Sequence, residues 1–184
     1  MAKILVAFDT RDEGFEKLDS EHEIIRPPKG RDFTLEELQG LLPEAEVLCT
    51  VFDRPARAEL LEHGTRLRLI ANFGVGFNNI DIDYARSHGI TVTNTPQAVI
   101  TPTAELTLAL MLDCARRVGE LDRLVRRHPG ESTAIGRSGY LGVHLSGKTL
   151  GLIGYGRIAT AVASRARAFG MKVLYYKRTP LSPE

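Results

Sequence analysis

Residues Thr149–Tyr176 have the sequence TLGLIGYGRIATAVASRARAFGMKVLYY, and this stretch determines how the rest of the chain is interpreted. It begins with an apolar run that predicts a buried strand, continues through Gly154–Ala159 (GYGRIA), and then has helical spacing up to Phe169. A second strand is predicted at Lys172–Tyr176. A strand, a glycine turn, a helix and a second strand are the context in which G-x-G-x-x-G/A indicates a dinucleotide-binding turn.

Each small residue of this turn has a predicted role. Gly154 permits a tight turn, and Gly156 lacks a side chain, so that a pyrophosphate can approach the backbone. Ala159 occupies the third position, where the helix must lie close to the strand. The first N–H groups of the helix are free to bind phosphate. The alternative is an ordinary turn with chance glycines, which the order of the flanking elements disfavours.

Composition and charge exclude several classes of function. The 184 residues carry a formal net charge of +1, with 43% hydrophobic and 26% charged residues, as in ordinary globular chains. This charge gives no electrostatic case for a nucleic-acid or membrane partner, and no apolar run is long enough to cross a bilayer. Cys49 and Cys114 stand far apart in apolar segments, so we expect reduced thiols in a cytoplasmic protein. No Cys/His cluster has the spacing of a metal site.

The first half of the chain alternates strands with helices. Apolar strands are predicted at Lys3–Phe8, His22–Ile25, Val47–Val51, Leu67–Ala71 and Ile90–Thr93. Helices are predicted at Glu13–Leu18, from Thr34 to Leu42, from Asp53 to Gly64 and at Asp81–Ser87. Thr34 and Glu37 have the spacing of a capping box. Strands that are apolar throughout predict a parallel sheet covered on both faces, and residues 1–98 are expected to form one domain.

A long helix is predicted to follow, from Thr103 to about Arg127, with Pro102 at its start. Its first half is apolar nearly all round, so that burial on more than one side is expected. A polar, Gly-rich loop is expected at residues 128–146. Residues 99–184 are therefore assigned to a second domain.

The loop after the fourth strand, residues 71–81 (ANFGVGFNNID), has the composition of an anion site. It lies at the edge where parallel sheets bind ligands. Gly74 and Gly76 allow conformations that point successive N–H groups at one spot, where a carboxylate can bind. The alternative is a plain turn followed by a helix with Asp81 as its N-cap. Spacing alone does not separate the two interpretations.

Four motifs, in order and at family spacing between Leu69 and Tyr176, resemble the D-isomer-specific 2-hydroxyacid dehydrogenases: GVGFNNID, GITVTNTP, TPTAELTLALMLDCARR and LSGKTLGLIGYGRIA. That family includes glyoxylate/hydroxypyruvate reductases, D-lactate dehydrogenases and phosphoglycerate dehydrogenases. The resemblance implies an α/β fold, with a flavodoxin-like parallel-sheet substrate domain followed by a Rossmann dinucleotide-binding domain, here truncated, and an active site between them. It also implies hydride transfer between nicotinamide and carbon 2 of a small 2-keto or 2-hydroxy acid.

The resemblance assigns roles to individual residues. The backbone N–H groups of Val75 and Gly76 would bind the substrate carboxylate, and Thr103 would lie near the nicotinamide. Asn78 stands where the family often has Asp, and Ala159 where it usually has Gly; both changes are tolerable. The contacts to the cofactor pyrophosphate would come from Gly154, Gly156, Arg157 and Ile158.

Cofactor choice is predicted from Lys177, Arg178 and Thr179, which directly follow the second strand of the glycine-turn unit. NAD-binding domains carry an Asp or Glu there, roughly 20 residues past the glycines, for the ribose 2′-hydroxyl. Two cations instead attract a 2′-phosphate, and a threonine adds a hydroxyl, so the sequence favours NADP over NAD. The alternative is that both cations are simply solvated at the end of a strand.

The resemblance assigns no catalytic residue within this sequence. The family's substrate-orienting Arg, its His acid/base and the Glu that tunes the His are expected beyond Glu184, and none of the 5 histidines matches that His. We therefore expect no turnover by this chain alone. The segment 102–127 resembles the helix through which family members form homodimers. Two alternatives are a non-catalytic ligand-binding or dimerisation module, and a remnant without a biochemical role.

Overall fold

The computed structural model describes residues 1–129 and 139–179. Within these residues the chain forms two compact units, Met1–Gln97 and a second that begins at Ala98. Both units combine helices with a parallel sheet. The α/β fold class expected from the sequence is therefore confirmed.

The first unit contains a five-stranded sheet with the order β2-β1-β3-β4-β5. Its strands are β1 (Lys3–Val6), β2 (Glu23–Ile25), β3 (Val47–Val51), β4 (Leu69–Phe73) and β5 (Thr91–Thr93). Its helices are α1 (Glu16–Glu21), α2 (Leu35–Leu41), α3 (Ala58–Leu61) and α4 (Ile82–Ser87), with a 3₁₀ turn at Leu42–Glu44. This strand order is the flavodoxin-like order, in which ligands bind at the carboxyl ends of the strands.

Apolar side chains of the central strands form the core of the first unit. The register places Leu5 beside Leu48 and Leu48 beside Ile70, and all three are fully buried. Leu42 and Leu61 join the same cluster from the helical layer. Burial of each such side chain stabilises the fold by roughly 1.5–3 kcal/mol. The carboxyl ends of the strands are thereby fixed in place for the loops that follow them.

Helix α3 begins later than the expected start at Asp53, because the preceding backbone is engaged elsewhere. The Ala56 N–H donates to the Asn79 carbonyl at 2.8 Å, and the Ala56 carbonyl accepts a hydrogen bond from the Asp81 N–H at 3.0 Å. A backbone group that bonds across two loops is not available to a helix. The loops after β3 and β4 are joined side by side as a result.

The second unit contains the predicted strand–helix–strand arrangement. Its elements are α5 (Ile100–Arg116), α6 (Val118–Arg127), β6 (Thr149–Ile153), α7 (Arg157–Ala168) and β7 (Lys172–Tyr176). Strands β6 and β7 are parallel, and they form the two-stranded sheet of the described part of this unit. Helix α7 packs against α5 through a small buried cluster of Ala104, Leu108 and Val162.

The structure corrects the expected single helix from Thr103 to Arg127. In a continuous α-helix the Gly119 N–H would donate to the Ala115 carbonyl. Instead that carbonyl accepts a hydrogen bond from the Val143 N–H at 2.8 Å, and the Gly119 N–H donates to Asp113 Oδ1 at 2.7 Å. Arg117 between them is left-handed, with φ of 58°, and separates α5 from α6.

The expected burial of α5 on more than one side is also not observed within the described residues. Ala104 and Leu108 are buried, whereas Leu106 and Leu110 are 59% and 56% exposed. The helix therefore buries one face against α7 and leaves leucines on another. Of the loop expected at residues 128–146, positions 130–138 lie outside the described residues.

Candidate functional site

The loop that joins β4 to α4 is held by its carbonyl oxygens. The Gly74 carbonyl accepts a hydrogen bond from the Thr95 N–H at 2.9 Å, and the Val75 carbonyl accepts one from Asn94 Nδ2 at 2.8 Å. In a trans peptide the carbonyl and the N–H of the next residue point in opposite directions. The N–H groups of Val75 and Gly76 therefore point away from the two residues that follow β5.

These two N–H groups are available to a ligand. No acceptor is bonded to either the Val75 or the Gly76 N–H among residues 1–129 and 139–179, and both residues are exposed. Adjacent free N–H groups make an anion-binding concavity. Neither Gly74 nor Gly76 has positive φ, so the unusual glycine conformations that the sequence led us to expect are not what orients these groups. The bonds to the carbonyls, rather than unusual glycine conformations, orient the loop.

A buried pair of asparagines fixes the same loop at its next peptide. Asn72 Nδ2 donates to the Gly76 carbonyl at 2.7 Å, and Asn72 Oδ1 accepts a hydrogen bond from Asn79 Nδ2 at 3.1 Å. Asn79 Nδ2 also lies 3.0 Å from the Val51 carbonyl at the end of β3. Asn72 and Asn79 are only 2% and 7% exposed, so their amides must be hydrogen-bonded within the protein.

Neither Asn72 nor Asn79 was predicted to have a role from the sequence, although the sequence contains a signal for such residues. Asn72 is a polar residue inside an otherwise apolar strand, LIANF, and Asn94 directly follows the strand TVT. A polar side chain at the carboxyl end of a parallel strand is placed to act on the neighbouring loop. The partner of each side chain depends on contacts between separate strands, which the local sequence does not specify.

A cavity of about 390 Å³ opens beside this loop, at the carboxyl ends of β1, β3, β4 and β5. Phe8 and Phe73 stack across it with ring centroids 6.3 Å apart. Burial raises the pKa of the Cys49 thiol to about 11, so this lining group is neutral at neutral pH. The polar part of the lining includes Asn72, Asn94, Thr10, Arg11 and Glu13. The residues after β1 were not assigned to a site from the sequence.

The turn between β6 and α7 has the backbone that the sequence predicts. Gly154 has φ of 90°, which residues with a side chain rarely adopt, and its N–H donates to the Tyr176 carbonyl at 2.8 Å. Gly156 is the N-cap of α7, and it has no side chain that could accept hydrogen bonds from the first N–H groups of the helix. The N–H groups of Arg157 and Ile158 therefore lack an intrahelical partner and can bind an anion.

The residues after β7 lie beside this turn. A second cavity, of about 500 Å³, is lined by Ile153, Gly154, Tyr176, Lys177, Arg178 and Thr179. The last three are exposed, and no acidic residue of the described chain is among the lining residues. The structure thus brings the first glycine of the turn together with the two cations. Glu184 lies outside the described residues.

Thr103, the remaining predicted cofactor residue, and the side chain of Ile158 lie within the same unit. Thr103 is in the first turn of α5, half-buried, and its carbonyl accepts a hydrogen bond from Thr107 Oγ1 at 2.7 Å. The side chain of Ile158 packs against the buried cluster between α5 and α7, which leaves its backbone N–H as the group available to phosphate. Val75 and Gly76 belong to the first unit.

The described residues offer neither a metal cluster nor a membrane-spanning helix. In these ranges, no group of three or more His, Cys, Asp or Glu side chains is arranged to hold a metal ion. None of the described helices has the length and apolarity that crossing a membrane requires. Cys49 and Cys114 are both free thiols.

Comparison with known proteins identifies the family to which this chain is similar. The family model described as "D-isomer specific 2-hydroxyacid dehydrogenase, catalytic domain" matches residues 4–175. A glyoxylate reductase from Thermococcus litoralis is 39% identical over 183 residues, which cover 96% of this chain and 54% of that protein. The chain spans about half the length of the curated relatives that it matches.

Solved structures agree with this match. A protein from Thermus thermophilus is 37% identical with a TM-score of 0.87, over 97% of this chain and 57% of its own. An NADPH-dependent glyoxylate/hydroxypyruvate reductase from Sinorhizobium meliloti, in complex with NADP and malonate, is 28% identical with a TM-score of 0.79. The latter match covers 98% of this chain and 54% of the reductase.

Proposed function

The chain belongs to the D-isomer specific 2-hydroxyacid dehydrogenase family, and from this membership we propose that it carries the acid-binding site and the first part of the nucleotide site of an NADP-dependent oxidoreductase. The reaction is hydride transfer between nicotinamide and carbon 2 of a small 2-keto or 2-hydroxy acid. The observation that carries this proposal is the pair of free, adjacent N–H groups at Val75 and Gly76. A carboxylate is the group that all these acids share.

The first unit, assigned as the substrate domain of residues 1–98, binds and orients the acid. The Val75 and Gly76 N–H groups donate two hydrogen bonds to its carboxylate, and each bond to a charged group contributes about 1.5–3 kcal/mol. A site fixed in advance costs little reorganisation when the ligand binds. The substrate proposal is therefore supported by the anchored carbonyls as well as by the free N–H groups.

The second unit, assigned as the Rossmann domain of residues 99–184, would bind the dinucleotide. The pyrophosphate would lie at Gly154, Gly156 and the N–H groups of Arg157 and Ile158, because no atom of the described residues, chain neighbours apart, lies within 4 Å of the Cβ position of either glycine. Thr103 is assigned to the nicotinamide side. The cofactor supplies the hydride donor or acceptor.

The cavity beyond the glycine turn supports NADP over NAD. Lys177 and Arg178 place two positive charges in it, and Thr179 adds a hydroxyl. Arg can hold a phosphate through two parallel N–H bonds, whereas the carboxylate of an NAD-binding domain would repel it. One of the similar solved structures is an NADPH-dependent reductase in complex with NADP, which is consistent with this choice.

Two further features complete the proposal. Leu106 and Leu110 on α5, and Val118 and Val125 on α6, expose apolar surface that supports a homodimer formed through residues 102–127. A cytoplasmic location stays a prediction from the sequence. No histidine of this chain has been assigned as an acid/base, so binding without turnover is expected of the 184-residue chain.

The cofactor assignment is tested by titrating the 184-residue chain with NADPH and NADH and following nucleotide fluorescence. We expect NADPH to bind at least about tenfold more tightly, since one charge-assisted hydrogen bond is worth about 1.5–3 kcal/mol. Lys177→Asp combined with Arg178→Ala should remove that preference. Lys172→Ala, an exposed lysine at the other end of β7, is the matched control and should retain it. Equal affinity for the two nucleotides, or a preference unchanged in the double variant, would refute NADP as the cofactor.

A further inference from the structure

The hydrogen bond from Asn94 to the Val75 carbonyl has a direct consequence for the carboxylate site. One peptide group carries both that carbonyl and the Gly76 N–H. Rotation of this peptide changes ψ of Val75 and φ of Gly76, and it would turn the Gly76 N–H out of the site. The orientation of the peptide therefore sets whether the site has two N–H donors or one.

Gly76 itself does not prevent the rotation. Glycine adopts positive and negative φ about equally, so both orientations are open to its backbone. Among the described residues, no atom apart from its chain neighbours lies within 4 Å of the position that a Gly76 Cβ would occupy, so the protein is open on that side of Gly76. The bond from Asn94 Nδ2, at 2.8 Å, favours the orientation in which the N–H is free.

The neighbouring peptides are fixed independently of Asn94. The Gly74 carbonyl accepts a hydrogen bond from a backbone N–H, that of Thr95, and the Gly76 carbonyl accepts one from the buried Asn72. Asn72 is in turn bonded to Asn79 at 3.1 Å. Loss of the Asn94 amide would thus release one peptide within a loop that stays anchored on both sides.

We propose that Asn94 is a positioning residue of the carboxylate site: its side-chain amide holds the Val75–Gly76 peptide so that the Gly76 N–H faces the ligand. The inference rests on the proposed function, because it concerns the same loop. It adds a side chain from the end of β5, separated by 19 residues from Val75, to a site that consists of backbone groups.

The test uses the 184-residue chain, ¹⁵N-labelled, with pyruvate as the probe. In the wild-type protein the Val75 and Gly76 amide resonances should shift saturably with pyruvate. Asn94→Ala should weaken pyruvate binding at least about twofold, because a peptide that samples both orientations presents the Gly76 N–H in only part of the molecules, and up to about tenfold if the N–H is fully turned away. Asn94→Asp keeps the size of the side chain but cannot donate at neutral pH, so it should weaken binding at least as much.

The matched control is Asn78→Ala, which removes an exposed asparagine from the same loop. The backbone carbonyl of Asn78 accepts a hydrogen bond from Arg57 at 2.6 Å, and alanine retains that carbonyl. Pyruvate affinity should be unchanged. In the unliganded proteins, the Gly76 resonance should broaden or split in the two Asn94 variants, as the peptide samples two orientations, and stay single in Asn78→Ala.

The outcomes separate this inference from the function on which it rests. If the wild-type protein shows no saturable shift with pyruvate, the proposed function fails, while the Gly76 resonance of the unliganded variants still decides the role of Asn94. A purely structural role predicts a lower melting temperature with unchanged pyruvate affinity and a single Gly76 resonance, and that result would overturn the inference. If Asn94→Ala does not fold, Asn94→Asp provides the same comparison.

Discussion

At the residue scale, the two glycines of the nucleotide turn differ in what they require. Gly154 has φ of 90°, a conformation that costs a residue with a Cβ about 1–2 kcal/mol. Gly156 has φ of −97° and ψ of −167°, an extended conformation open to any residue. Gly154 is therefore required by the backbone of the turn, whereas a glycine at position 156 is explained by the proposed approach of the nucleotide.

These positions give opposite predictions for the same substitution. Gly154→Ala should lower the free energy of unfolding by about 1–2 kcal/mol, through backbone strain rather than a clash. Gly156→Ala should leave stability within about 0.5 kcal/mol, as exposed changes do, yet weaken NADPH binding because a methyl group occupies the approach to the backbone. Urea melts and nucleotide titration of both variants provide the comparison. Strong destabilisation by Gly156→Ala, or NADPH affinity unaffected by it, would contradict the assignment.

The acid site could be predicted from the sequence only in part. Glycine spacing and the position after β4 indicated this loop, because the carboxyl ends of parallel strands bind ligands wherever the sheet is of this type, but the choice of Val75 and Gly76 came from the family resemblance. The means of orienting them was not predictable. The amide of Asn94 reaches the Val75 carbonyl only because β4 and β5 are neighbours in register, with Ala71 beside Thr93.

At the element scale, local signals predicted the start of α2 well. The Glu37 N–H donates to Thr34 Oγ1 at 3.2 Å, and the Thr34 N–H donates to Glu37 Oε2 at 2.8 Å. Both bonds lie within four consecutive residues, so the sequence contains all the information needed. Arg31 adds two bonds to the same carboxylate, each at 2.8 Å, which sequence spacing did not indicate.

This arrangement predicts an acid-dependent loss of stability. The Arg31 guanidinium, followed by the Thr34 backbone N–H, lowers the pKa of Glu37 from 4.5 to about 2. Because the folded pKa lies below the unfolded one, the stabilisation is complete above pH 4.5 and is lost as the pH falls towards 2. Urea melts at pH 7 and pH 3 should show a smaller loss in Glu37→Gln than in the wild type. Glu36→Gln, one residue away and outside the capping box, should behave as the wild type; equal losses in all three proteins would contradict the prediction.

The division between α5 and α6 shows the limit of such local signals. Residues 103–127 have helical spacing throughout, and the sequence alone predicted one helix. The interruption depends on Val143, which lies outside the helix and whose N–H donates a hydrogen bond to the Ala115 carbonyl. A hydrogen bond across so many residues is set by tertiary packing, which can override the propensity of a segment.

At the scale of the whole molecule, the exposed leucines of α5 predict association. Leu106 and Leu110 are four residues apart and therefore lie on one face of the helix. Leu106→Glu combined with Leu110→Glu should raise the dimer dissociation constant at least about 100-fold, because burial of each leucine is worth about 1.5–3 kcal/mol. Sedimentation velocity over a range of concentrations measures this constant. Leu35→Glu, at an exposed leucine on α2, is the control and should not shift it; a wild-type protein that stays monomeric at every concentration would rule out the dimer.

Turnover is also a property of the whole molecule, because it needs every group that takes part in the reaction. Hydride transfer to a keto acid leaves an alkoxide, so a positioned acid must deliver a proton to the carbonyl oxygen. The chain offers the proposed acid and nucleotide sites, but the residues that match the family motifs include no such histidine and no arginine that orients the keto group. We therefore predict no reduction of glyoxylate, hydroxypyruvate or pyruvate by residues 1–184, with NADPH or with NADH, in a steady-state absorbance assay.

We expect the 184-residue chain to bind pyruvate and NADPH without catalysing the reaction between them. The amide shifts with pyruvate and the nucleotide fluorescence should both report binding in the protein that fails to turn over. A rate well above that of buffer would contradict the prediction if Val75→Pro, which removes one N–H from the carboxylate site, abolished it. A rate that Val75→Pro leaves unchanged would point to a contaminating reductase, because such an activity would not depend on the N–H groups proposed to hold the substrate.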